Sequence, residues 1–125
     1  MLTKGVLLAT ALAFIGCGLL SFFWPIVISG YIGYGLTNAD SKIEMVAMYG
    51  GLEIGLGLFY LLGALKKAYS KGSLILIIMT VGGLTIGRLF AFAVNSDPVT
   101  SYTYGAIFYE SITCVLAFIA LSKIK

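Results

Sequence analysis

Four long, mostly apolar runs make up the greater part of this 125-residue chain: Gly5 to Trp24, Glu44 to Leu65, Ser73 to Asn95, and Tyr102 to Ser122. Each is long enough to cross a hydrocarbon layer about 30 Å thick. Backbone N–H and C=O groups in such a layer find no water, so each run must satisfy its own hydrogen bonds, which helices do and open strand edges do not. The expected fold is all-α: an integral membrane four-helix transmembrane bundle, a single domain over residues 1–125 with little chain left for a separate soluble domain. Composition agrees, since 60% of the residues are hydrophobic, 10% are charged and none is histidine, against roughly 25% charged residues in soluble domains.

The lysines set the expected orientation. Lys4, Lys66, Lys67, Lys71, Lys123 and Lys125 fall on one side of a four-span arrangement, whereas Lys42 stands alone on the other beside Asp40, Glu44 and Asp97. Both termini are therefore expected in the cytoplasm, with Trp24, Tyr31, Tyr34, Tyr102 and Tyr104 at the outer interface, as in a bacterial inner-membrane protein. The same rule accounts for the net charge of +3 without an anionic partner, and no basic face suited to nucleic acid exists. Met1 to Lys4 followed by an apolar run also fits a secretory signal, and Phe14-Ile15-Gly16-Cys17 loosely fits a lipoprotein cleavage box. The run continues through Gly18 to Trp24 instead of giving way to a polar tether, so an uncleaved first helix is expected. Between the first two runs, Pro25 to Lys42 reads as an irregular connection rich in Gly and Tyr; Lys66 to Gly72 and Ser96 to Ser101 read as the other two.

Three ionisable residues interrupt the apolar runs: Glu53, Arg88 and Glu110. A charge at the centre of a span costs at least about 2.5–3.5 kcal/mol, so such residues face the protein interior, pair with one another and mark sites. Glu53 lies thirteen residues before Lys66, and Glu110 thirteen before Lys123. Both therefore sit about 20 Å from the lysine-rich edge, and Arg88, seventeen residues past Lys71, about 6 Å further out. Side chains lean toward the N-terminus of their helix, which carries the three heads toward one level. Small or hydroxylated residues share their faces: Tyr49, Gly50, Gly57, Tyr60 and Ala64 with Glu53; Thr103, Ala106, Thr113, Cys114 and Ala117 with Glu110; Val81, Thr85, Phe92 and Asn95 with Arg88.

Two carboxylates against one guanidinium leave one negative charge to neutralise, by a retained proton or an entering cation, while the arginine fork holds the other carboxylate in bidentate fashion. Glu53, Arg88 and Glu110, lined by Tyr49, Tyr60 and Asn95, are thus the candidate binding residues for a small ligand, a lipid headgroup or a proton, in an accessory transport role. The plainer reading is that the charges only tie helices together in a structural or assembly subunit. No enzyme is expected, because no nucleophile, metal or cofactor motif is present. Cys17 and Cys114 lie in separate spans and read as packing residues.

Gly51 with Gly55, and Gly83 with Gly87, have the four-residue spacing that lets helix backbones approach. The Gly51 and Gly55 face points away from Glu53, leaving it for another helix, a second copy of the chain or a membrane partner.

The run Tyr49 to Gly57 (YGGLEIGLG), the run Gly82 to Phe90 (GGLTIGRLF), the Asn95-Ser96-Asp97-Pro98 turn and Glu110 in the last span resemble a bacterial family of small four-helix membrane proteins of unknown function. A more distant likeness to DoxX-like membrane proteins accompanies it. The resemblance covers most of the chain from Ala47 onward and implies the four-span fold without an activity. Small multidrug exporters, with a glutamate in the first helix, and fluoride channels, built from oppositely oriented subunits, do not fit.

Overall fold

The computed structural model describes residues 1–124, so Lys125, one of the lysines used for orientation, lies outside the described residues. All elements are helical: α1 is Leu2–Phe23, α2 Pro25–Ile32, α3 Ala39–Leu65, α4 Lys67–Val94 and α5 Ser101–Ser122. No strand occurs among the described residues. Four of the five helices, α1, α3, α4 and α5, are long and apolar enough to cross a membrane.

Local chemistry explains the boundaries. α1 stops before Pro25, because the residue ahead of a proline is pushed out of the helical region; Trp24 has φ −131° and ψ 58°. Proline then opens α2, where its missing N–H and fixed φ do no harm. α2 ends at Gly33, whose φ of 89° is the only positive value among the described residues. The segment expected to be irregular, Pro25 to Lys42, therefore holds a two-turn helix and the start of α3. Asn38 caps α3: its Oδ1 accepts from the Ser41 N–H at 2.8 Å, and its own N–H donates to Ser41 Oγ at 3.2 Å. The connection expected from Lys66 to Gly72 is mostly helix too. Only Lys66 separates α3 from α4, in extended conformation at φ −122° and ψ 113°. Hydropathy marks where hydrocarbon begins, whereas a helix continues past that point until its caps.

α3 departs from regularity in another way. Met45–Leu52 is wound as a π-helix, whose i→i+5 bonds open a wider turn than the α-helix. Residue faces counted at 3.6 per turn from Glu53 hold toward the C-terminus but not back through this stretch.

The chain groups into two compact units, Leu8–Leu62 and Met1–Leu7 with Gly63 onward. In the first, α1 and α3 pack along a seam of small residues. A Cβ on Gly57 would stand 2.7 Å from Ile15 Cγ1, 2.9 Å from Ile15 N and 3.1 Å from Ala11 O. One on Gly18 would meet Ile54 Cγ1 at 2.8 Å, and one on Gly50 would meet Phe22 at 3.1 Å. The seam runs Ala11, Ile15, Gly18, Phe22 against Gly57, Ile54, Gly50, in antiparallel order. Gly51 and Gly55, by contrast, lie outside it: Gly51 meets only the Val46 carbonyl of its own helix, at 4.0 Å, and Gly55 nothing within 4 Å.

In the second unit α4 and α5 form an antiparallel hairpin. The buried positions of α4, at Leu74, Ile77, Val81 and Thr85, and of α5, at Glu110, Thr113, Ala117 and Ala120, recur at three- and four-residue steps. Ser70 Oγ donates to the Gly63 carbonyl at 2.7 Å beside Lys66, and a Cβ on Gly63 would overlap the buried Ser73. Across the hairpin a Cβ on Gly82 would lie 3.3 Å from Cys114 Sγ; Gly83 and Gly87 face open space.

The distribution of polarity is that of a membrane protein. Thr10, Ser21, Ser73, Thr85 and Thr113 are buried, while Met79, Ile86, Phe90, Phe108 and Phe118 are exposed. A soluble protein hides such large apolar groups, whereas in lipid they are at no disadvantage outside and small or hydroxylated residues allow close helix contact. The protein is a multi-pass, all-α membrane protein. Gly57→Ala is expected to destabilise it by about 1–3 kcal/mol, since backbone atoms of α1 must move aside. Gly55→Ala, in open space, should be neutral or up to about 1 kcal/mol stabilising through helix propensity. Thermal unfolding in detergent, compared between the two variants, measures the difference.

Candidate functional site

Two of the three charges found in the apolar runs meet. Arg88 lies six residues before the end of α4, and Glu110 nine residues after the start of α5, so the connecting turn folds them to similar depth. Each side chain leans toward its own helix N-terminus, which carries Arg88 away from the turn and Glu110 toward it. The Arg88 Nε–H is shared between Glu110 Oε1 at 2.8 Å and Oε2 at 3.0 Å. The two-nitrogen fork anticipated from the sequence is thus replaced by one nitrogen serving both oxygens. The carboxylate reaches the stem side of the guanidinium, which also shares a side-chain hydrogen bond with Tyr102.

The pair is unequally covered. The Glu110 side chain is 7% exposed and that of Arg88 29%. Glu110 ends the buried stripe of α5, and Arg88 follows Val81 and Thr85 on α4. Thr85 turns its hydroxyl back onto the Val81 carbonyl at 2.9 Å, satisfying itself within the helix. The ring of Tyr102, the second residue of α5, lies 5.7 Å from Arg88 Cζ, within the range of a cation–π contact. Phe92 and Tyr104 close the same end of the hairpin edge to face, with ring centres 5.8 Å apart.

The other residues singled out in the sequence have separate surroundings. Glu53 belongs to the α1–α3 unit, half-buried where α3 resumes regular α winding. Tyr60 is fully buried, its ring edge-on to Phe14 at 5.3 Å, so it forms core in that unit. Tyr49 sits in the π stretch with its hydroxyl 3.2 Å from that of Tyr34 and the two rings T-shaped. Asn95 ends α4, and its Nδ2 donates to the Asp97 carbonyl at 2.6 Å, shaping the turn. The sequence missed Tyr102 as Arg88's neighbour and Tyr34 as Tyr49's. Tyr102 could have been found, since it stands eight residues before Glu110 on the same face. Among the described residues no three His, Cys, Asp or Glu side chains converge as a metal site would require.

Removing Arg88 strands a carboxylate with almost no access to solvent or headgroups, whereas removing Glu110 leaves a cation on a long stem that can extend outward. Arg88→Leu is therefore expected to cost about 3–5 kcal/mol, Glu110→Leu distinctly less, and the double substitution to recover most of the loss. A double-mutant cycle on unfolding in detergent gives the three values. Comparison with known proteins adds a family and no activity: no curated protein and no solved structure matches the chain. One family model matches residues 2–121, taking in all four spans. The chain belongs to the family described as Domain of unknown function (DUF4345).

Proposed function

We propose that this protein is a non-enzymatic binding module of the bacterial inner membrane, with both termini cytoplasmic, that takes up a small polar ligand, a lipid headgroup or a proton in an accessory transport role. The observation that carries the reading is the partial exposure of Arg88 beside a buried carboxylate. A buried ion pair is an inefficient way merely to tie α4 to α5, since desolvation offsets much of its attraction, and a guanidinium left partly exposed is open to a ligand. Here Glu110 neutralises and orients the cation through Nε, and the Nη donors suit a phosphate or carboxylate oxygen. Glu53 enters the proposal from its position in an apolar run, as a second ionisable group whose role is assigned by its own substitution.

The test uses purified protein in neutral detergent. Short-chain phosphatidylglycerol is expected to raise the unfolding temperature of the natural sequence, by about 2.7 kcal/mol equivalent at a hundredfold excess over Kd. Arg88→Gln should abolish the rise. A dependence on pH without lipid, lost in Glu53→Gln or Glu110→Gln, would identify the proton as the ligand. Lipid and pH responses unchanged in all three folded variants would remove the binding reading.

A second reading, an assembly subunit, draws on the open space at Gly51 and Gly55 on an exposed face of α3. Leucine at either position would block a close helix contact there. Oligomer size and co-purifying proteins are then expected to change in Gly51→Leu and Gly55→Leu. An assembly unaltered by both substitutions counts against this reading.

A further inference from the structure

We propose that α2 is an interfacial helix, lying in the plane of one membrane surface with its outer face against the acyl chains just below the headgroups. Trp24 is the single residue between it and α1, a helix of spanning length, so α2 begins where a span ends. Its eight residues measure about 12 Å, far short of the hydrocarbon thickness of about 30 Å. It cannot cross, and the chain next enters α3.

Nothing draws α2 out into water. No charged residue occurs between Lys4 and Asp40. One side of the helix turns inward through buried Ser29, with Pro25, Ile28 and Ile32 half-buried. The opposite side presents Ile26, 71% exposed, Val27, 64%, and Tyr31, 74%. Trp24 at the start is 58% exposed, and Tyr34 follows the end. Rings with one polar edge favour the boundary between headgroup and acyl chain.

The backbone is suited to the same place. The N–H groups of Gly33 and Tyr34 both donate to the Ser29 carbonyl, at 2.8 and 2.7 Å, so the first two N–H groups past the helix are satisfied by its last turn. Leu19, Leu20 and Phe23 at the end of α1, a helix of spanning length, are exposed as well, so the lipid around the end of that span is the medium at hand to cover α2. Interfacial helices commonly add Lys or Arg for anionic lipids. α2 has neither, so apolar burial alone holds it, and lipid charge is immaterial.

Trp24 is the only tryptophan and therefore reports its own depth. The full-length protein is reconstituted in phosphatidylcholine vesicles whose acyl chains carry bromine either near the headgroup or near the methyl end, with iodide as the aqueous quencher. Trp24 emission is expected to be quenched most by the shallow bromines, weakly by the deep ones and least by iodide, with the same order after phosphatidylglycerol is added. A second reporter, Trp24→Phe with Tyr31→Trp, should give a matching depth, because the helix lies flat. An upright helix would separate the two positions by about 10 Å. That separation, stronger quenching by the deep bromines, stronger quenching by iodide, or silence toward both brominated lipids because a protein covers the face, would each overturn the assignment.

Discussion

In hydrocarbon a helix gains nothing by hiding leucine from its surroundings, so helix contacts rest on how closely two backbones can approach. Everything else in this protein follows from that constraint. α1 and α3 approach where Gly18, Gly50 and Gly57 leave room for Ile54, Phe22 and Ile15. At the α3–α4 turn, Gly63 admits Ser73. The outer surfaces, released from any need for polarity, carry phenylalanine, isoleucine and methionine. A buried hydroxyl is tolerated where it donates a hydrogen bond to its own helix, as Thr85 does to the Val81 carbonyl, and the half-buried Thr80 does the same to that of Leu76.

The Arg88–Glu110 pair belongs to the same scheme. Two helices held at close range by small residues carry their ionisable groups to one depth, and the low dielectric that makes each charge costly alone also strengthens their attraction. The pair sits at the end of a stripe of threonine and alanine on α5. Its unequal exposure distinguishes the two residues: the carboxylate is enclosed, and the Arg88 side chain keeps part of its surface exposed.

Much of this was legible in the sequence, and what was not has identifiable causes. The four spans follow from hydrophobic length, and the pairing of Arg88 with Glu110 from rise per residue and side-chain direction. The stripes through Val81 and Thr85, and through Thr113 and Ala117, follow from helical periodicity. The four-residue spacing of Gly51 with Gly55 and of Gly83 with Gly87 marks glycines that have room around them in the structure, not those of the α1–α3 seam. The true seam uses Gly50 and Gly57, seven residues apart, because Ile54 between them fills the notch opposite Gly18. Spacing reveals which residues share a face but not which face meets a neighbour. For the same reason spacing did not reveal that Tyr60 is fully buried or that the Asn95 side chain donates to the Asp97 carbonyl. Pro25 to Lys42 reads as irregular because it is rich in glycine and tyrosine, yet a proline in first position suits the start of a helix, as it does in α2.

The wide turn in α3 has a consequence for how the chain tolerates change in length. A π stretch is equivalent to a surplus residue absorbed inside a helix, so Met45–Leu52 is a place where α3 can shed one residue and relax into ordinary winding. Such a loss would rotate the Asn38 cap and the first turns of α3 while leaving Glu53, Gly57 and Tyr60 in register with one another. The same loss after Glu53 would turn Gly57 away from Ile15 and dismantle the seam. The two ends of one continuous helix are thereby anchored separately, one by its neighbour and the other by its cap.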